Sequence, residues 1–164
     1  MLSRSIRPFQ PTDLPVLRAL TVEAFENVSI DRNIEDQFGV IADHDWRWRK
    51  ARHVDQDVQR DPLGTFVAEQ DGHVVGYIST WIDREAGMGN IPNLAVRADL
   101  RGQGLGRQLI QHALDHFRQQ GIRYARIETL AQNPIGQHLY PACGFREVAR
   151  QIHYCVDLAQ TPEA

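Results

Sequence analysis

Ten residues in the middle of the chain, 101–110, read RGQGLGRQLI: three glycines at alternate positions that run straight into an apolar helical pattern. Alternate glycines let backbone N–H groups converge on one point with no Cβ atoms in the way, and the helix that follows adds the positive end of its dipole. The β-rich run NIPNLAV precedes the turn, so this part of the chain must fold as strand, glycine turn and helix, with an anion-binding mouth between them. Pro92 lies inside that strand pattern and removes a ladder donor, which puts the strand at an edge or gives it a bulge.

The rest of the chain alternates around this unit. Ser5–Phe9 reads as a short strand, and Pro11-Thr12-Asp13 opens a helix with Thr12 as its N-cap and Leu14, Leu17, Leu20 and Phe25 at helical spacing. A second helical stretch, polar and Trp-containing, lies within residues 31–59. GTFVAEQ and HVVGYISTWID are two strands joined at Asp71-Gly72, a strong hairpin signal. Beyond the glycine turn come a helix from about Gly104 to Gln120, the strand RYARIETL, a short helix from Pro134 to about Cys143, and two last strands at FREVA and QIHYCVDL. No repeat or linker divides the 164 residues, which suffice for one core without disulfide or metal. The expectation is one α/β (α+β) domain over residues 1–160 with a mixed sheet, and a loose tail at Thr161–Ala164.

Composition removes several classes of function. A net charge of −3 gives no basic face for duplex nucleic acid, and no apolar run has membrane-spanning length. Cys143 and Cys155 form no CxxC and the start MLSRSIRPF is no signal peptide, which reads as a reduced, cytoplasmic setting. Lys50 is the only lysine and reads as a matter of composition. No metal is expected: His112 and His116 share a helix face and His44 stands among Asp43 and Asp45, but neither set has the ligands of a site. Among glycine-loop chemistries, a P-loop would need Gly-Lys-Ser/Thr, which is missing. A dinucleotide fingerprint would need GxGxxG soon after the first strand, and here Gly102, Gly104 and Gly106 give GxGxG in mid-chain.

Arg101-Gly102-Gln103-Gly104-Leu105-Gly106 does match the Q/R-x-x-G-x-G/A motif, and the chain resembles the GCN5-related N-acetyltransferases that carry it. IPNLAVRADLRGQGLGRQLI is similar to that family's fourth strand, loop and third helix, and IETLAQNPIGQHLYPACGF to its fifth strand, fourth helix and following Gly-Phe. The resemblance is by motif from Ile91 to Phe145 and by element order before that. It implies a splayed, mostly antiparallel mixed sheet flanked by about four helices, acetyl-coenzyme A as donor, direct transfer to a primary amine, and relatives that are often homodimers. It also implies a pyrophosphate held by the N–H groups across Gln103 to Arg107, with Arg101 and Arg107 offsetting its charge. In the strand Leu94-Ala95-Val96, the N–H of Leu94 would meet the thioester carbonyl and Val96 the pantetheine amides. Asn133 would bond the coenzyme's arm as well as cap the helix beginning at Pro134. Tyr140, in Leu139-Tyr140-Pro141-Ala142-Cys143-Gly144-Phe145, matches the general acid that protonates the leaving thiolate, while Cys143 needs no part in the reaction. Pro141 should bend or end that helix.

A base is less directly marked. Glu128 precedes Tyr140 at a spacing similar to that in ribosomal-protein N-terminal acetyltransferases, and on an alternating strand it shares a face with Tyr124 and Arg126. Asp83 and Glu85 are the alternatives. The acceptor pocket is expected around DHDWRWRKARHVDQD, with Trp46 and Trp48 as walls or as packing. The acceptor, a small amine or a peptide N-terminus, is not legible, nor is the acyl chain. A non-catalytic acyl-coenzyme A sensor is the alternative of another class, against which the presence of Tyr140 argues.

Overall fold

A computed structural model gives the fold over residues 3–160; the tail at Thr161–Ala164 lies outside the described residues. In chain order the elements are β1 (Arg4–Pro8), α1 (Leu14–Ala24), α2 (Ile30–Phe38), α3 (Trp46–Arg60), β2 (Thr65–Gln70) and β3 (His73–Ser79). Then follow β4 (Trp81–Asp83), β5 (Met88–Ile91), β6 (Leu94–Val96), α4 (Leu105–Gln119), β7 (Tyr124–Ile127) and α5 (Pro134–Ala142). They form an antiparallel sheet β1-β2-β3-β6 and a second sheet β4-β5-β7 in which β5 and β7 are parallel. The expected splayed, mostly antiparallel α/β architecture is therefore present, with the splay carried through to two hydrogen-bonded sheets.

Two apolar layers hold this arrangement. Leu17 and Leu20 of α1 and Val54 of α3 bury against Val67, Tyr77 and Ala95 on one face of the first sheet. Leu109, Ile110 and Phe117 of α4 bury against Phe66, Ile78 and Ile91 on the other. Each helix presents the apolar stripe that its periodicity demands. No helix among the described residues is long and apolar enough to cross a membrane.

Four local expectations change. The start of α1 is organised by Asp13 rather than Thr12: the buried Asp13 carboxylate accepts the Gln10 N–H at 2.8 Å and both Arg7 nitrogens at 2.8 and 2.9 Å, a charge-assisted set that an exposed hydroxyl cannot match. The stretch 31–59 is two helices, α3 starting where Asp45 accepts the Trp48 N–H at 3.0 Å. HVVGYISTWID breaks at Thr80, whose N–H and hydroxyl both turn to the Gly64 carbonyl. The strands expected at FREVA and QIHYCVDL do not form: residues 146–157 have no strand pairing, and Val148 and Tyr154 are 94% and 90% exposed. Alternation sets up two faces, but a strand also needs a partner edge, and this segment meets none among the described residues.

Candidate active site

The two sheets meet end to end where β3 runs on into β4 and β5 into β6, and the join is irregular. Ile78 faces Leu94 on one side of it and Trp81 faces Asn90 on the other, so Ile91, Pro92 and Asn93 oppose only Ser79 and Thr80. That surplus residue is a β-bulge, at the proline that had no ladder donor to give. β7 accompanies β5 as far as the pair Ile91↔Ile127, and β6 continues beyond with its far side unpaired among the described residues. A gap thus opens between β6 and the residues that follow β7.

The register decides what faces this gap. Ser79 N–H donates to Asn93 C=O and Arg97 N–H to Val75 C=O, both at 2.9 Å. By the antiparallel alternation, Leu94 and Val96 are then the non-hydrogen-bonded positions, and their N–H and C=O groups point away from β3 into the gap. Ala95, opposite Tyr77, faces β3 and buries its methyl group beside α1 and α3. The Val96 carbonyl accepts Arg101 Nε at 3.0 Å, so Arg101 folds back along this edge.

The glycine turn stands at the end of that edge. Gly102 and Gly104 have φ of 76° and 82° with open space around their missing Cβ atoms, so the backbone conformation demands glycine and steric room does not. Gly106 is different: a Cβ there would lie 3.2 Å from Leu139 Cδ2, and its absence lets α4 approach α5. Gly104 caps α4 without a side-chain bond, and the first bond of the helix runs from Gln108 N–H to Gly104 C=O at 3.1 Å. The N–H groups of Leu105, Gly106 and Arg107 therefore have no intrahelical acceptor. The Leu105 side chain is core, whereas Gln103 Oε1 accepts Arg4 Nη2 at 2.6 Å. This brings to the turn a cation from 99 residues away that no local motif announces. Arg107 reaches across to the Ala142 carbonyl at 3.2 Å and so ties the start of α4 to the end of α5.

On α5, Asn133 caps the helix with Oδ1 accepting the Gly136 N–H at 3.2 Å, and its Nδ2 donates to Thr129 Oγ1 at 2.8 Å, just past β7. Tyr140 packs against the α4-side core with Leu94, Val96 and Phe145, and its hydroxyl has no hydrogen-bond partner among the described residues. Burial pushes its phenol up to about 12, with the nearby Cys143 adding to the effect, so at neutral pH it holds its proton. Burial likewise pushes the Cys143 thiol up, away from a nucleophilic thiolate. Tyr140 stays helical despite Pro141 after it, and the helix ends one residue later at Ala142.

Glu128 lies on the other face. Ala125 and Ile127 pack towards α4, so Glu128 points to the α3 side, where it lines a cavity of about 210 Å³ with Arg60, Trp81, Pro92 and Arg126. Asp83 and Glu85 sit at the opposite end of the β4–β5 hairpin, where Asp83 closes the turn by accepting the Ala86 N–H at 2.9 Å. Trp46 is core, while Trp48 stacks on His44 at 3.6 Å on the surface. His112 and His116 pack edge-on against Phe66, and no group of three or more potential metal-ligating side chains gathers among the described residues.

Sequence reasoning missed the polar grip on the bulge. Asp57 of α3 accepts Ser79 Oγ and Asn93 Nδ2, each at 2.6 Å, and Lys50, about two turns before it, donates to Asn93 Oδ1 at 2.9 Å. Lys50 is only 8% exposed and also lies 3.9 Å from the centre of the Phe25 ring. Burial pulls its amine down to about 8 against the pull of Asp31 and Asp57, and burial raises the Asp57 carboxyl against the bonds from Ser79 and Asn93. The signal that was available is the helical spacing of Lys50, His53 and Asp57, a polar stripe that includes the chain's single lysine.

The acetyltransferase (GNAT) family model matches residues 27–145. A mycothiol acetyltransferase from Streptomyces avermitilis is 35% identical over 85 residues, which are 52% of this chain and 28% of that protein. The match thus covers less than a third of the length of that relative. A putative [ribosomal protein bS18]-alanine N-acetyltransferase from Bacillus subtilis is 27% identical over 67% of this chain and 72% of its own. Among solved structures, the PaiA N-acetyltransferase from Thermoplasma acidophilum in complex with coenzyme A superposes with a TM-score of 0.69 at 20% identity, covering 88% of this chain and 90% of that one. With the family model spanning both the glycine turn and Tyr140, the chain belongs to the acetyltransferase (GNAT) family.

Proposed function

We propose that the chain is an acetyl-coenzyme A-dependent N-acetyltransferase acting on a primary amine. The observation that carries this reading is that Tyr140 packs in the α4-side cluster that includes Leu94 and Val96 of β6, while Glu128 lines the cavity on the other face with Pro92, two residues before Leu94. An amine entering from the α3 side and a thiolate leaving on the α4 side need that arrangement.

The turn fits a pyrophosphate: the orphan N–H groups of Leu105, Gly106 and Arg107 and the cations Arg4, Arg101 and Arg107 are gathered there. The N–H groups of Leu94 and Val96 fit an extended, amide-bearing arm. Bound there, acetyl-coenzyme A supplies an activated thioester carbon and a thiolate leaving group. Leu94 N–H donates to the carbonyl oxygen as negative charge develops on it, Glu128 takes the proton of the incoming ammonium directly or through water, and Tyr140 returns a proton to the sulfur. The Asp57–Asn93 grip holds the bulge that aims Leu94.

Thiol release from acetyl-coenzyme A with a panel of amines and peptides tests the reading. Acceptor-dependent release supports it; tight coenzyme binding with no turnover on any acceptor would favour a sensor instead.

A further inference from the structure

The cavity beside Glu128 holds charges that its own walls leave unmatched. Arg60 sits 4.8 Å from the centre of the Trp81 ring and forms no ion pair among the described residues. Arg126 is aimed from β7 by a buried strut: its Nε donates to Asn90 Oδ1 at 2.6 Å, and Asn90, in the strand beside it, donates its own Nδ2 to the Met88 carbonyl at 3.3 Å. A buried asparagine spent on one edge of a guanidinium fixes its plane and leaves the two Nη groups for a ligand. Glu128 stands two residues further along the same face, yet pairs with neither arginine among the described residues.

Two cations and one carboxylate, unpaired with each other inside about 210 Å³, complement a small molecule that carries an anion and an ammonium a few bonds apart. We infer that the acceptor is a free α-amino acid, its carboxylate held by Arg126 and Arg60 and its amine presented to Glu128. This rests on the transfer reaction proposed above. The ammonium first gives one proton to Glu128; the amine nitrogen then forms the amide bond as the C–S bond breaks, its second proton replaces the one that Tyr140 gives to the thiolate, and Glu128 releases its own to solvent. A peptide N-terminus lacks the adjacent carboxylate, and its continuing chain would have to cross the arginines.

The test uses matched sets: an amino acid, its decarboxylated amine and the dipeptide amide that begins with it, with O-phosphoethanolamine as a phosphate-bearing amine. In thiol release with wild-type protein, at least one amino acid should exceed its decarboxylated and peptide counterparts at least tenfold in kcat/KM. Arg126→Gln should raise KM for that amino acid at least tenfold and collapse the preference towards one. Equal or better turnover of the decarboxylated amine, the peptide or O-phosphoethanolamine would overturn the inference, as would an unchanged preference in Arg126→Gln. If no acceptor turns over, calorimetry of N-acetyl amino acids on the coenzyme A complex separates the two ideas. Binding that Arg126→Gln weakens tenfold keeps the amino-acid site while transfer falls, and no binding overturns the site itself.

Discussion

Replacing Asp57 by alanine should cost both stability and turnover, because one carboxylate oxygen fixes both strands of the bulge. Asp57 Oδ2 accepts from Ser79 Oγ and Asn93 Nδ2 at 2.6 Å each, in a buried setting. After truncation Ser79 Oγ keeps a weaker acceptor, the Asn93 carbonyl at 3.4 Å, whereas Asn93 Nδ2 is left with none among the described residues. An unsatisfied buried donor costs about 1–3 kcal/mol, and the vacated volume adds to it, so the loss should be roughly 2–4 kcal/mol. For a domain of this size that is a fall of roughly 5–15 °C in Tm, read by calorimetry or circular dichroism. Asp57→Asn should keep most of the stability, since its amide oxygen can accept from both donors. At a temperature where Asp57→Ala is folded, kcat for thiol release should fall at least tenfold, approaching the ~10²–10³-fold loss of an oxyanion donor as Leu94 N–H is displaced. A Tm within about 1 °C of wild type, or full stability loss with kcat unchanged, would refute the link from Asp57 through the bulge to Leu94.

Tyr140→Phe should lower kcat by about 10²-fold or more while coenzyme A affinity by calorimetry changes little; a wild-type rate across pH would remove Tyr140 as the acid. Glu128→Gln should shift the pH–rate profile towards alkaline values, where the free amine no longer needs a base, and an unshifted profile would assign the base elsewhere. Gly104→Ala should cost about 1–2 kcal/mol because φ is 82° there, and should weaken coenzyme A binding; an unchanged Kd and Tm would show that the turn does not need its left-handed residue. Lys50 gives a pH test: its amine, held to about 8 against the ordinary 10.5, makes the folded chain bind fewer protons than the unfolded one between those values. Stability should therefore rise with pH across that window, by on the order of 3 kcal/mol relative to Lys50→Met in urea unfolding, and a constant difference between the two proteins would contradict the buried amine.

What was legible in the sequence was local. The glycine turn, Asn133 as a cap and Tyr140 in its motif are readable because each depends on neighbours within a few residues, and Pro92 marked the bulge because a missing N–H is a property of the residue itself. The grip on that bulge was not readable, since Lys50 and Asp57 meet Asn93 across 43 and 36 residues and only the packing of α3 on the sheet joins them. Arg4 at the turn was hidden for the same reason. FREVA and QIHYCVDL show the opposite failure: their alternation is a local signal, but pairing depends on an edge that local pattern does not specify. At Thr12 and Asp13 two adjacent residues had the chemistry of a cap, and the choice fell to Arg7, a partner in the preceding strand.

Coenzyme A bound along the free edge of β6, with its pyrophosphate on the start of α4, would cover a defined set of amides. Amide exchange and chemical shifts in ¹⁵N-labelled protein, with and without coenzyme A, test it directly. Leu94, Val96, Leu105, Gly106 and Arg107 should shift and gain protection together, while Ala95, already facing β3, should change least. Protection elsewhere with these five amides unaffected would contradict it.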